Sequence, residues 1–207
     1  MKNLTIKQIV QQASNLLGVD LIDDNFSLFS NEDEGSINWL SFMNMAFDEI
    51  IKDIYDKNVV FNVSNSKLEL IPDTQYSYDI SSLPISKILS VKNNGKSIYK
   101  VVSYSKLNNC SYIEKHNSIE TSFLSNDLYI EYLDSRIYVD ATGDLSNQLI
   151  SDNDKTIIDN SLIIFKLCSL VSEFKSMDFT QFYTQKYMER LNYIVQDSLR
   201  NRKPLYL

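Results

Sequence analysis

The chain has 207 residues, 43% hydrophobic and 23% charged, with 20 Lys+Arg against 27 Asp+Glu and a formal net charge of −7. That composition suits a single globular domain with or without an inserted module, and excludes a wholly disordered chain, a multi-domain enzyme and a protein that coats nucleic acid through sequence-wide positive charge. No apolar run approaches the ~20 residues that span a bilayer, so no membrane partner is expected, and the opening Met1-Lys2-Asn3-Leu4-Thr5-Ile6 does not read as a secretory signal.

The first periodic segment opens on Thr5 as an N-cap and repeats apolar residues at Ile6, Ile9, Val10, Ala13, Leu16 and Leu17 before Gly18. Those spacings predict a helix over about 5–17, with Gly18 supplying the left-handed residue that ends it. From Asp20 to Glu34 the acidic residues Asp20, Asp23, Asp24, Glu32, Asp33 and Glu34 stand without a basic one, interrupted by Leu28-Phe29. They lack the spacing that wraps oxygens around one cation, so a solvated acidic loop is expected. Ser30 with Asp33 resembles a capping box ahead of the second helix. That helix carries Ile37, Leu40, Met43, Phe47, Ile50, Ile51 and Ile54, with Trp39, Phe42 and Tyr55 widening the stripe, and is expected at the centre of a bundle.

Near Asn58 the apolar period changes from 3.6 to 2. Strands are predicted at Val59–Val63, Lys67–Leu70, Lys87–Val91, Ser97–Val102, Asp127–Tyr132 and Arg136–Val139. Asn93-Asn94-Gly95 supplies a primed hairpin turn, Asp134-Ser135 is a candidate for another, and Pro72 and Pro84 fall where the alternation breaks. Helical periodicity returns after Ser151 and Asp154, taken as a helix start, through Ile157, Ile158, Ser161, Leu162, Phe165, Cys168 and Val171. A last helix from about Asp178, with Gln181 at its third position, carries Phe182, Tyr187, Leu191, Ile194, Val195 and Leu199, and stops before Pro204.

The expected class is α+β. A four-helix bundle is predicted from residues 1–57 and 144–200, with an antiparallel β module inserted at 58–143 and a C-terminal tail at 201–207. Its core would hold Leu40, Met43, Phe47, Ile50, Leu162, Phe165, Leu191 and Ile194.

Signatures of chemistry are sparse. No G-x-S-x-G, H-E-x-x-H, P-loop or dinucleotide fingerprint occurs, Cys110 and Cys168 are expected to be free thiols, and neither a cofactor nor a metal is implied. The single histidine, His116, lies in a polar turn, Glu114-Lys115-His116-Asn117, and is expected on the surface. A small hydrolase working through Glu131 and Asp140 would need one carboxyl with a raised pKa. Tyr76, Tyr78, Tyr99, Tyr104, Tyr112, Tyr129, Tyr132 and Tyr138 crowd the β module, where they suit half-buried strand faces and also protein interfaces. Arg200, Arg202 and Lys203, followed by Leu205-Tyr206-Leu207, mix cations with apolar groups in a frayed tail or a docking peptide.

The order of elements, together with Ile9-Val10-Gln11-Gln12-Ala13-Ser14-Asn15-Leu16-Leu17-Gly18, Val60-Phe61-Asn62-Val63, Leu70-Ile71-Pro72-Asp73 and Tyr78-Asp79-Ile80-Ser81-Ser82-Leu83-Pro84, resembles the head-to-tail connector proteins of short-tailed bacteriophages, the portal adaptor, tail-tubular and gatekeeper type. The Asn, Lys, Ile and Tyr bias is similar to that of crAss-like phages of gut bacteria. The resemblance implies a non-enzymatic virion protein assembled in the bacterial host cytoplasm and placed at the portal vertex, in the neck of the tail. It would form a dodecameric homo-oligomeric ring that touches the portal protein and downstream tail proteins, its channel passing DNA without reading sequence. Arg200, Arg202, Lys203, Leu205 and Tyr206 would dock on the portal. A ring of such acidic subunits would let DNA slide without sticking. Another tail, baseplate or minor virion module shares these features without needing a ring.

Overall fold

A computed structural model of the chain describes residues 4–19, 26–29, 37–57, 63–72, 74 and 76–201, without the side chains of residues 55 and 199–201. The chain divides into two compact units, one made of Met1–Val60 with Arg136–Leu207 and the other of Phe61–Ser135.

In the first unit, α1 spans Ile6–Leu17. Thr5 Oγ1 accepts from the Gln8 amide while the Gln8 side chain accepts from the Thr5 amide, a reciprocal capping box, and Gly18 closes the helix at φ 65°. Ile6, Ile9, Val10, Ala13 and Leu17 are buried along its apolar stripe. Helix α2 is Trp39–Asp56, opened by Asn38, whose Oδ1 accepts from the Ser41 amide at 2.7 Å. Helix α3, Asn160–Phe174, is the hub of this unit and packs against α1, α2 and α4 (Thr180–Asn201). Its centrality follows from its sequence, because Leu162, Ile163, Ile164, Leu167, Cys168 and Val171 are buried together with the small Ser169 and Ser172, which admit close neighbours. The predicted centre, α2, instead leaves Met45 45% exposed.

Three short strands, β9 (Tyr138–Val139), β10 (Leu145–Ser146) and β11 (Lys155–Thr156), complete the unit in the antiparallel order β10-β9-β11. The predicted strand Arg136–Val139 is therefore cut to Tyr138–Val139 and pairs in the helical unit, and Asp134-Ser135 does not close a hairpin. Ser151 and Asp154 do not start a helix either. Asp154, 1% exposed, accepts at Oδ2 from the Ile150 and Ser151 amides, both at 2.9 Å, and the backbone carbonyls of Asp154 and Asp152 accept from the Ile6 and Lys7 amides at the start of α1. The cap of α3 is Asp159.

The second unit is an eight-stranded sheet: β1 (Val63–Lys67), β2 (Glu69–Leu70), β3 (Ser77–Asp79), β4 (Ile85–Asn93), β5 (Lys96–Lys100), β6 (Ser111–Glu114), β7 (Ser118–Thr121) and β8 (Leu128–Asp134) in the order β1-β8-β4-β5-β6-β7-β3-β2. The first and last strands of that order are successive in the chain, joined by Leu68 alone. The segment pairs with β8 through its first half and with β3 through its second, so the sheet curls into a nearly closed barrel. Leu128, Ile130 and Tyr132 of β8 point inward with period two to meet Leu68, Tyr78, Val91, Ile98 and Ile119, while Tyr129 stays 39% exposed between them. Asn94 and Gly95 take φ 48° and 75° in the β4–β5 hairpin, as a type I′ turn requires.

The four-helix bundle with an antiparallel β insert is thus overturned, although the class remains α+β. The sheet is as large a structural feature as the helices, and it is mixed, because β5 and β6 run parallel, Tyr99 opposite Ser111 and Lys100 opposite Tyr112. Residues 101–110, with a 3-10 turn at Tyr104–Lys106, carry the chain back to make that pairing possible. Strands β3, β6 and β7 have three or four residues each, too few for alternation to announce them.

Tyr78 is fully buried, and its hydroxyl accepts from the Ser125 amide at 2.7 Å and donates to the Ser125 carbonyl at 3.1 Å. Tyr78→Phe removes the partner of both groups and is expected to cost about 1–3 kcal/mol, read as a lower urea midpoint at an unchanged denaturant slope.

Candidate functional sites

In the helical unit, polar side chains join the last two helices to the rest. The Tyr187 hydroxyl donates to Asp53 at 2.6 Å, Lys166 pairs with Glu49, and the Lys166 ammonium lies 4.6 Å from the centre of the Tyr187 ring. Burial, then the bond to Asp53, pushes the Tyr187 phenol far above its ordinary range. It is held as a donor in a fixed network and is not poised as a base. Asp159 caps α3 through the Leu162 amide at 3.0 Å and receives the Arg190 guanidinium at 2.9 and 2.5 Å.

The α3–α4 turn and the end of α1 carry a set of exposed apolar groups. Phe174 is 65% exposed, Phe182 54%, Leu16 50% and Phe179 39%. Phe179 and Phe182 pack edge-on against the ring of the buried Tyr183 at 5.8 and 5.2 Å, the Tyr183 hydroxyl donates to the Leu16 carbonyl at 2.8 Å, and Phe174 packs edge-on against Phe42 of α2 at 5.4 Å. Lys175 and Lys186 lie 5.9 and 5.7 Å over the Phe174 and Phe182 rings.

The β unit holds a cleft of about 470 Å³. Its walls are the chain after β3 (Ile80, Ser81, Leu83), the start of β4 and the β6–β7 turn at residues 114–117. They are tied together by the Ile80 amide donating to the Asn117 carbonyl at 3.1 Å and the Lys115 amide donating to Ser118 at 2.8 Å. His116 is exposed and lines this cleft.

Neither candidate carboxylate is placed to give up a proton. Glu131 in β8 accepts from Ser90 at 2.8 Å and Lys92 at 3.3 Å, and the Ser90 bond above all holds its carboxyl below the usual range. Asp140, in a turn of the other unit, accepts from Thr142 and from the Asp144 amide, which lower it likewise. Both are ionised acceptors, the opposite of a general acid. Among the described residues no three His, Cys, Asp or Glu side chains gather as they would around a metal ion, and no helix is long and apolar enough to cross a membrane.

Of the expected bundle core, Met43, Phe47, Ile50, Leu162 and Leu191 are buried, while Leu40, Phe165 and Ile194 are half-buried. Arg200 lies in the last turn of α4, but its side chain, Arg202, Lys203, Leu205 and Tyr206 fall outside the described residues, as does the acidic run at 20–25 and 30–36. The tyrosines of the sheet divide: Tyr78, Tyr112 and Tyr132 fill the barrel, whereas Tyr99 and Tyr104 are 54% and 60% exposed. The apolar α3–α4 turn escaped the sequence reading because Phe174 and Phe179 fit a helical stripe as well as any buried residue.

The two cysteines differ in kind. Cys110 is exposed, whereas Cys168 is buried in α3, where burial pushes its thiol up to about 12. Ellman's reagent is expected to titrate Cys110 rapidly in the native protein and Cys168 only on denaturation.

No known protein family model matches this chain, and no curated protein does so either.

Proposed function

We propose that the chain is a structural virion subunit, a ring-forming connector between the portal and tail of a tailed phage, working by assembly rather than catalysis. The observation that supports this reading best is the set of exposed apolar groups of the helical unit, Phe179, Phe182 and Leu16 at the bonded Tyr183 together with Phe174 at the end of α3. Rings close through heterologous contacts, in which a patch on each subunit meets a different patch on the next, and this surface would supply one of the two. The element order and short strings quoted above add the connector identity, and Arg200, Arg202, Lys203, Leu205 and Tyr206 are the proposed portal-docking tail.

Mass photometry of the protein with its cognate portal, alone and as a variant ending at residue 199, tests both statements. A portal that gains a ring of full-length subunits and none of the truncated ones is the expected result. A portal that gains none of either overturns the connector reading, and one that gains both equally overturns the role of the tail. The double variant F179S/F182S should bind fewer copies per portal at equal concentration.

A further inference from the structure

The walls of the cleft in the β unit are fixed by backbone bonds of their own. The first is a run of short turns after β3. The Ser81 amide donates to Asp79 Oδ1 at 2.8 Å, the Leu83 amide to the Ile80 carbonyl at 3.1 Å and the Ile85 amide to the Leu83 carbonyl at 2.8 Å, with Pro84 locking its own φ between the last two. This run is tied to the β6–β7 turn by the bond from the Ile80 amide to the Asn117 carbonyl. The space they enclose, about 470 Å³, falls within the roughly 300–1,000 Å³ that small-molecule sites occupy. Ile80, Leu83, Ile85 and Ile88 line it, Ile80 as a member of the buried barrel core and the other three packed against that core. The cleft therefore has a preformed apolar floor.

The charge of the lining is one-sided. Lys87, Lys115 and His116 line the cleft and are all exposed. The one carboxylate of the lining, Glu114, is held by the Lys100 ammonium at 2.7 Å, and Lys100 does not itself line the cleft. Asp79, next along the chain, is engaged by the Ser81 amide and lines a different pocket with Lys67. A chain of net charge −7 thus gathers two lysines here against a carboxylate already matched from outside. The Lys115 ammonium sits 4.9 Å from the centre of the Tyr104 ring, which leaves Lys87 as the principal cation and Ser81, His116 and Asn117 as neutral donors. A floor without polar groups and a rim with one strong cation fit a guest made of the same two parts. We infer that this cleft binds a small organic acid as its monoanion, the apolar body on Leu83, Ile85 and Ile88 and the carboxylate toward Lys87 and His116. The inference is independent of the connector reading, since it rests on the β unit alone.

The probe is para-(trifluoromethyl)benzoate, titrated with the full chain by fluorine NMR. Two counterparts accompany it, para-(trifluoromethyl)benzylammonium, with the same body and the opposite charge, and trifluoroacetate, with the charge and no body. The benzoate is expected to bind saturably in the millimolar range that suits so small a ligand, the benzylammonium about fivefold or more weakly, and the trifluoroacetate not at all. Backbone amide shifts on addition of the benzoate should cluster at residues 80–88 and 114–117. Lys87→Glu should weaken the benzoate by about fivefold or more, and because Lys87 is exposed the variant should keep its melting temperature. Lys67→Glu, an exposed lysine of the same unit outside the cleft, should bind as the wild type does. Equal binding of the benzylammonium, or a K87E affinity unchanged, would overturn the anionic guest, and equal binding of trifluoroacetate would overturn the role of the floor. Absence of saturation at millimolar benzoate, or amide shifts that fall elsewhere, would overturn the site itself.

Discussion

Phe47→Ala is expected to destabilise the helical unit by about 3–5 kcal/mol and lower its melting temperature by roughly 10 °C. Phe47 is 2% exposed on α2, and its ring meets Tyr138 of β9 edge-on at 5.0 Å and 80°, so truncation loses both the transfer of the ring from water and a specific aromatic contact. Met43 and Ile50, one turn before and after it on α2, are themselves fully buried. Phe47→Leu, which keeps most of the volume, should recover more than half of the loss. Thermal melts of the three proteins by far-ultraviolet circular dichroism at 222 nm read the helices directly. A loss below about 1 kcal/mol for the alanine variant would mean that α2 is not packed on β9 as described.

Asp159→Ala is expected to cost about 2–4 kcal/mol, because one side chain serves two purposes. It caps α3 at the Leu162 amide and holds Arg190 of α4 by two bonds, with both side chains about three-quarters covered. Asp159→Asn keeps a cap acceptor and loses the charge, so it should fall between the wild type and the alanine variant. The pH dependence follows the same carboxylate. Burial by itself would raise Asp159, but the Arg190 bond, the Leu162 amide and the Arg190 charge outweigh it and hold the carboxyl below its ordinary value. A group whose folded pKa is depressed contributes stability above its unfolded pKa, near 3.9 for aspartate, and that stability is lost as pH falls through the folded value. The wild type should therefore lose stability on acidification from about pH 5 downward, and Asp159→Ala should show a shallower slope over that window. Parallel slopes in urea midpoints between pH 5 and pH 3 would remove Asp159 from the account.

How much of this could be read in advance depends on the range of the forces involved. The capping box at Thr5 and Gln8, the glycine stop at Gly18 and the Asn94-Gly95 turn are all settled within a few residues, so sequence alone determines them. The apolar stripes of α1, α2 and α4 are local in the same sense, as is the period-two alternation of β8. The start of α3 shows where local signals fail. Ser151 with Asp154 offers a plausible cap, yet Asp154 is drawn into the Ile150 and Ser151 amides and its loop carbonyls anchor α1, a contact across about 150 residues that no spacing rule contains.

The chemistry of the candidate sites was legible only in part. The net charge of −7 and the lack of nucleophile and metal signatures are properties of the residues themselves. That Glu131 and Asp140 are acceptors with lowered pKa, by contrast, depends on Ser90 and Lys92 across a strand pair and on the curl of one turn. The cleft is still less local, since its walls come from three separate stretches of the β unit, the chain after β3, the start of β4 and the β6–β7 turn.

By itself the sequence determined that α1, α2, the body of α3 and α4 are helical and that β4, β5 and β8 are extended, that the fold is α+β, and which residues are apolar enough to build cores, because those properties depend on neighbours within a turn or two of chain. Only the tertiary structure decided that α3 is the hub, that Tyr138–Val139 pairs in the helical unit, and that the sheet is mixed and nearly closes on itself at Leu68. Strand partners and helix neighbours are chosen by burial and hydrogen bonding between segments distant in the chain, and a one-dimensional pattern carries the faces to be covered without the partner that covers them.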